Sequence, residues 1–147
     1  MANNKKEFKP NEVINGTWGE IWIDGEYMAN CTAFKANINI KTTAVPMCGN
    51  LTEGEKLTGL ERKGELKLHK VNSVIMKKYV NAVKAGRLPE CTIISKLEDP
   101  DSLGAERVAC YGCTFDKIAL ADWEVGKVGE ESYSFNFRDE KLLDTIE

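Results

Sequence analysis

The sequence predicts a mainly β domain, an antiparallel sandwich or barrel with one helix at its side. Three observations carry this expectation. Several short segments alternate apolar and polar side chains with the period of two that a half-buried strand requires. Only residues 73–85 carry a helical period, and no strand–helix–strand repeat announces a parallel sheet. A chain of 147 residues with 42% hydrophobic and 29% charged side chains is long and apolar enough for one domain, residues 1–147, with a core of its own.

Residues 1–12 are polar, contain Pro10 and have no period, so they read as a flexible arm. Alternation starts at Thr17 and runs to Ile23, and Asp24-Gly25 follows as a two-residue hairpin signal. The return strand is clearest from Thr32 to Lys41: Phe34, Ala36, Ile38 and Ile40 take the core face, while Lys35, Asn37, Asn39 and Lys41 take the water face. Residues 42–58 hold Pro46, Gly49 and Gly54 without a sustained period and read as a long connection, a kind of segment that usually has a job. A third strand covers Glu65 to Lys70, with Leu66 and Leu68 inward and Glu65, Lys67 and His69 outward.

The period then becomes helical. Ile75, Tyr79 and Val83 share a stripe with Met76 and Val80 beside it; Asn72 or Ser73 can cap the start and Gly86 can close the end. Cys91 to Leu97 reads as a strand, Glu98 to Glu106 as a turn, and Arg107 to Leu120 as a long strand. The last strand, Ser132 to Phe137, places Tyr133, Phe135 and Phe137 on one face, which together with Phe115 and Trp123 makes an aromatic core set.

A net charge of −3 argues against a protein that grips many phosphates. No apolar run suits a signal sequence or a bilayer span, so synthesis and residence in the cytosol are expected, with the five cysteines as thiols and no membrane binding. The spacing of Cys110 and Cys113 raises a dithiol or a zinc knuckle. In an extended strand, however, the two side chains point to opposite faces about 10 Å apart at Cα, beyond bridging reach. Gly54 to Gly59 has the outer glycines of a phosphate loop but lacks its Lys and hydroxyl residue. His69 on a polar face reads as a solvated or interface side chain, and Glu53, Glu55, Asp99 and Asp101 as acidic loop residues. No catalytic residue, metal ligand set or cofactor is expected.

The segment YGCTFDKIALADWEVGKVGEESYSFNFRD, residues 111–139, resembles the closing segment of tail tube proteins of contractile phage tails, the kind also found in defective prophages and phage-tail-like bacteriocins. The matching positions are Tyr111, Gly112, Phe115, Asp116, Ala121, Asp122, Trp123, Glu124, Phe135 and Phe137, and Asn15 to Glu26 resembles the family's opening hairpin. The resemblance implies a structural subunit made in the bacterial cytoplasm and destined for a virion or a phage-tail-like particle. Homo-hexameric rings would stack into a tube, their inner sheets joined from neighbour to neighbour. Contractile sheath, tape-measure, baseplate and tail-terminator proteins would be partners, with DNA passing transiently through the lumen of a true phage. The 42–58 loop, through Val45, Pro46, Met47 and Leu51, would reach the next ring, and Lys35, Asn37, Asn39, Lys41, Glu65, Lys67 and His69 would face the lumen or the ring. Two other readings compete: a monomeric β-sandwich binding module using Trp18 and Trp22, whose simplest role is core packing, and a thiol or zinc protein built on Cys110 and Cys113.

Overall fold

The computed structural model describes residues 7–71 and 73–146. The first half of the expected N-terminal arm, residues 1–6, and the possible cap Asn72 fall outside these residues. Pro10–Glu12 forms a 3-10 turn, in which the Lys9 N–H donates to Glu12 Oε2 at 3.2 Å. The strands among the described residues are β1 (Gly19–Ile23), β2 (Glu26–Tyr27), β3 (Cys31–Val45), β4 (Gly54–His69), β5 (Cys91–Glu98), β6 (Ala105–Phe115), β7 (Glu130–Asn136) and β8 (Asp139–Asp144), with one helix, α1 (Val74–Lys84). All strand pairs are antiparallel, in the order β2-β1-β5-β6-β7-β4-β3, with β8 beside β6.

The sheet turns over at β6. Residues Arg107 to Cys110 pair with both β5 and β8 and Tyr111 with β8 alone, whereas Thr114 and Phe115 pair with Asn136 and Phe135 of β7. Between these two sets lies a bulge: three steps of β6, from Cys113 back to Cys110, face two steps of β5, from Cys91 to Ile93. Gly112 takes the positive φ of 64° that this bulge needs, at little steric cost for glycine. One core fills the fold, from Ile21 and Ile23 of β1 and Ile93 of β5 to Leu66 and Leu68 of β4 and Tyr133 and Phe135 of β7. Burying each of these larger side chains is worth about 1.5–3 kcal/mol. Phe115 meets Tyr79, Tyr133 and Phe135 edge-on at centroid distances of 5.2, 5.7 and 6.1 Å.

Asp24 and Gly25, at φ 49° and 83°, make the expected tight hairpin, but its return strand is the two-residue β2. The Thr32–Lys41 segment pairs instead with β4, because the turn after Tyr27 carries the chain across to the other layer; there the His69 N–H donates to Asn30 O at 2.8 Å. Ile75 and Tyr79 of α1 enter the core while Val83, the third member of the expected stripe, is exposed near the helix end. A Schellman closure ends the helix: Gly86 stands at φ 77°, its N–H donates to Val83 O at 3.0 Å, and the Arg87 N–H donates to Ala82 O at 2.9 Å.

Residues 42–58 are the main correction. Residues 42–45 continue β3 and residues 54–58 begin β4, with Thr42 opposite Leu57 and Val45 opposite Gly54, so only residues 46–53 are a loop. A second bulge explains why no period is visible. Lys41 faces Gly59 and Thr42 faces Leu57, which leaves Thr58 unmatched and puts Leu57 and Leu60 on one side despite their spacing of three. The strand expected over Arg107 to Leu120 ends at Phe115, and β8, where Leu142 is exposed, was hidden by its charged, weakly alternating sequence.

Candidate assembly surfaces

The long β3–β4 hairpin leaves the core after Phe34, Ala36 and Leu66 and continues as a two-stranded ribbon. Partners in register share a face. Lys35, Asn37 and Asn39 therefore stand with Glu65, Lys63 and Glu61, and the face continues onto Ser132 and Ser134 of β7, opposite Lys67 and Glu65. At its ends lie Glu130 opposite His69 and Asn136 opposite both Lys63 and Thr114. Asn136 Nδ2 donates to Asp116 Oδ1 at 2.7 Å, and Lys63 Nζ lies 2.9 Å from Glu61 Oε1. The Lys63 ammonium holds the Glu61 carboxyl below its ordinary range, chiefly through that hydrogen bond. All seven polar strand residues singled out by alternation, Lys35, Asn37, Asn39, Lys41, Glu65, Lys67 and His69, belong to the two strands that build this surface. The residues alternation did not single out are Glu61 and Lys63, whose side of the ribbon follows only from their pairing with β3.

The opposite side of the ribbon is apolar and open. Ile38, Ile40, Leu57 and Leu60 are exposed where the second layer no longer covers them. At the tip, Val45, Met47 and Leu51 are exposed as well, and so is Pro46. The tip is shaped by its own bonds: the Asn50 N–H donates to Met47 O at 3.2 Å and the Thr52 N–H to Asn50 Oδ1 at 2.9 Å, with Gly49 at φ 72°. β3 also ends the strand order, so the outer backbone groups of a 15-residue strand have no partner strand among the described residues.

Residues 6–144 match the family model described as phage tail tube protein. The phage-like element PBSX protein XkdM of Bacillus subtilis is 34% identical over 144 residues, covering 94% of this chain and 98% of that one.

The chain belongs to the phage tail tube protein family.

Solved structures share the fold at low identity. The tube-terminating cap of the anti-feeding prophage superposes with a TM-score of 0.72 at 12% identity, covering 99% of this chain and 100% of that one. A chain of the sheath–tube complex of an extracellular contractile injection system does so with 0.72 at 7%, covering 90% and 93%.

In this tail tube chain the aromatic set expected in the core divides. Phe115, Tyr133, Phe135 and Phe137 are buried, but Trp123 is 80% exposed, because it lies in the surface loop that joins β6 to β7. Trp18 and Trp22 are also uncovered, contrary to a core role; Trp22 leans on Tyr27 with centroids 5.2 Å apart, while Ile21 and Ile23 supply the core side of β1. Cys110 and Cys113 do not face opposite sides. The bulge at Gly112 restores the phase, so both are buried in one core as free thiols, and Cys113 Sγ lies 3.3 Å from Cys110 O. Gly54 to Gly59 lies in strand β4 and offers no phosphate-cradling loop. Asp99 is a structural residue: its carboxylate accepts from the Asn15 and Asp101 N–H groups, both at 2.9 Å, and it is buried, unlike an acid placed for solubility.

Proposed function

We propose that this chain is the subunit of the inner tube of a contractile phage tail or phage-tail-like particle, and that homo-hexameric rings of it stack into a hollow rod. The observation that carries the reading is the β3–β4 ribbon. It has a free edge, one polar face continuous with β7, and one apolar face that the chain itself does not cover. A neighbour that pairs with the β3 edge would remove the hazard of an open strand. Lys35, Asn37, Asn39, Lys41, Glu65, Lys67 and His69 would then face the bore. Ile38, Ile40, Leu57 and Leu60, with Val45, Pro46, Met47 and Leu51 at the tip, would rest on neighbouring subunits.

The charge pattern of the polar face suits a bore along which DNA slides or through which an envelope is punctured. Lys35, Lys41, Lys63 and Lys67 are interleaved with Glu61, Glu65, Asp116 and Glu130, so no run of cations is present to hold phosphates. The subunit's role is structural, without a catalytic step. Its partners are further copies of itself, a contractile sheath protein, and tape-measure, baseplate and tail-terminator proteins; synthesis is in the bacterial cytoplasm. Negative-stain microscopy of the purified protein at rising concentration tests this: rings and rods are expected, and a protein that stays monomeric at every concentration overturns it. The paired variant Ile38→Ser/Ile40→Ser is expected to fold as the parent does and to form no long rods.

A further inference from the structure

The thiol chemistry suggested by the sequence centres on Cys110 and Cys113, but the fold brings a different pair together. Cys91, the first residue of β5, stands directly opposite Cys113 of β6. Antiparallel partners lie about 4.5 or 5.5 Å apart at Cα, depending on their hydrogen bonding, and both values fall within the range that a disulfide spans, roughly 4.4–6.8 Å. Cys110 is opposite Ile93 instead. Both sulfurs of the Cys91–Cys113 pair are buried, at 3% and 0% exposure, within one core. The Tyr79 hydroxyl is enclosed near the Cys91 sulfur without a hydrogen bond of ordinary geometry among the described residues.

We propose that Cys91 and Cys113 are a cross-strand oxidation site, which hydrogen peroxide converts to a disulfide without a change in the pairing of β5 and β6.

The environment assigns the order of events. The neighbouring Cys113 thiol, and after it the Tyr79 hydroxyl, favour the charged form of Cys91 and hold its thiol below the ordinary range, against the effect of burial. Its contact with Cys91, and then burial, push the Cys113 thiol up, and burial pushes the Cys110 thiol up to about 11. Cys91 is thus the thiol of this core set that ionises most readily. Its sulfur attacks one peroxide oxygen, the O–O bond breaks, and the departing hydroxide takes up the proton that Cys91 released, leaving water and a sulfenic acid. The Cys113 sulfur then attacks the Cys91 sulfur, the S–O bond breaks, and the hydroxyl leaves as water with the Cys113 proton. Two thiols and one peroxide become one disulfide and two waters; the sulfurs are oxidised and the peroxide oxygens reduced. Peroxide is small enough to reach a core that a bulky disulfide reagent would have to open. The bond would staple the β5–β6 hairpin and limit the unfolded chain. This chemistry is independent of the assembly reading above.

The test uses the reduced full-length chain carrying Cys48→Ser, which removes the exposed thiol most prone to link separate molecules. After treatment with hydrogen peroxide, trypsin should release Leu88–Lys96 joined to Val108–Lys117, sensitive to a dithiol reductant. Adding Cys110→Ser should preserve this linked species, and adding Cys113→Ser should abolish it. Oxidised protein should unfold at a higher urea concentration than reduced protein. Tyr79→Phe, which keeps the ring in place, should form the disulfide several-fold more slowly. Retention of the core thiols under peroxide, a bridge within Val108–Lys117, or a linked species that survives Cys113→Ser would each overturn the proposal.

Discussion

A β-carbon built on Gly64 would stand 2.3 Å from Cζ of Phe135, its partner across β4 and β7, and 2.6 Å from the Lys35 carbonyl oxygen. The Phe135 ring thus lies over the bare backbone of Gly64, which brings the edge of the core up against the ribbon. Phe34 stacks on the same ring at 5.8 Å. Gly64→Ala should therefore destabilise the chain by about 2–3 kcal/mol through overpacking. Gly59→Ala is the control, because its β-carbon would meet only the Lys41 side chain at 3.8 Å. Urea unfolding of the two variants should separate them clearly, and equal midpoints would contradict the packing described.

Gly112 is constrained twice. Its φ of 64° disfavours any side chain, and an added β-carbon would approach Arg138 Nε to 2.6 Å. Gly112→Ala should cost about 1–2 kcal/mol from the backbone alone, with the clash added. Placing Arg138→Ala in the same chain should recover only the part due to the clash. Complete recovery would show that the backbone term is negligible.

Asp24 gives the fold an acid-side dependence. Partial burial alone would raise its carboxyl, but the Lys78 ammonium and the Thr92 N–H hold it below the ordinary value of 3.8. A depressed carboxyl stabilises the fold above its unfolded value, and that stability is lost as pH falls through the lower folded value. Because the pair is partly exposed, the contribution is about 1 kcal/mol or less. Asp24→Asn should flatten the slope of stability against pH below about 4 while leaving the neutral-pH fold intact; an unchanged slope in a pH series of urea melts would refute this.

Trp123→Ala should leave the isolated subunit's stability within about 0.5 kcal/mol of the parent, as expected for a surface substitution. If the residue packs on a neighbour, its effect will emerge only in assembled material. A loss of several kcal/mol in the isolated chain would mean that the exposed loop position is wrong.

Duplex DNA should bind the subunit weakly at physiological salt, since the cations of the polar face alternate with carboxylates. A filter assay returning sub-micromolar affinity with a steep salt slope would contradict the bore chemistry proposed.

Side-chain periodicity by itself determined the β class, the single helix, and the core positions Leu66, Leu68, Tyr133, Phe135 and Phe137, because these depend only on which side of its strand or helix each residue takes. It also separated the polar row Lys35 to Lys41 from its apolar counterpart. What alternation could not determine was any position beyond a bulge. The extra residues at Thr58 and Tyr111-Gly112 convert a spacing of three into a shared face, and a bulge is a property of two strands paired together, invisible in either one alone. For that reason only the tertiary structure extended the β3–β4 hairpin through most of residues 42–58, brought Cys110 and Cys113 into one core, and set Cys91 against Cys113. Trp123 shows a different limit: a large aromatic side chain in a connection carries no mark of whether the loop folds back onto the core, and here it does not. Which neighbour sits opposite was decided by strand register, which a tight turn fixes locally but which, between strands far apart in sequence, depends on how the sheet packs as a whole.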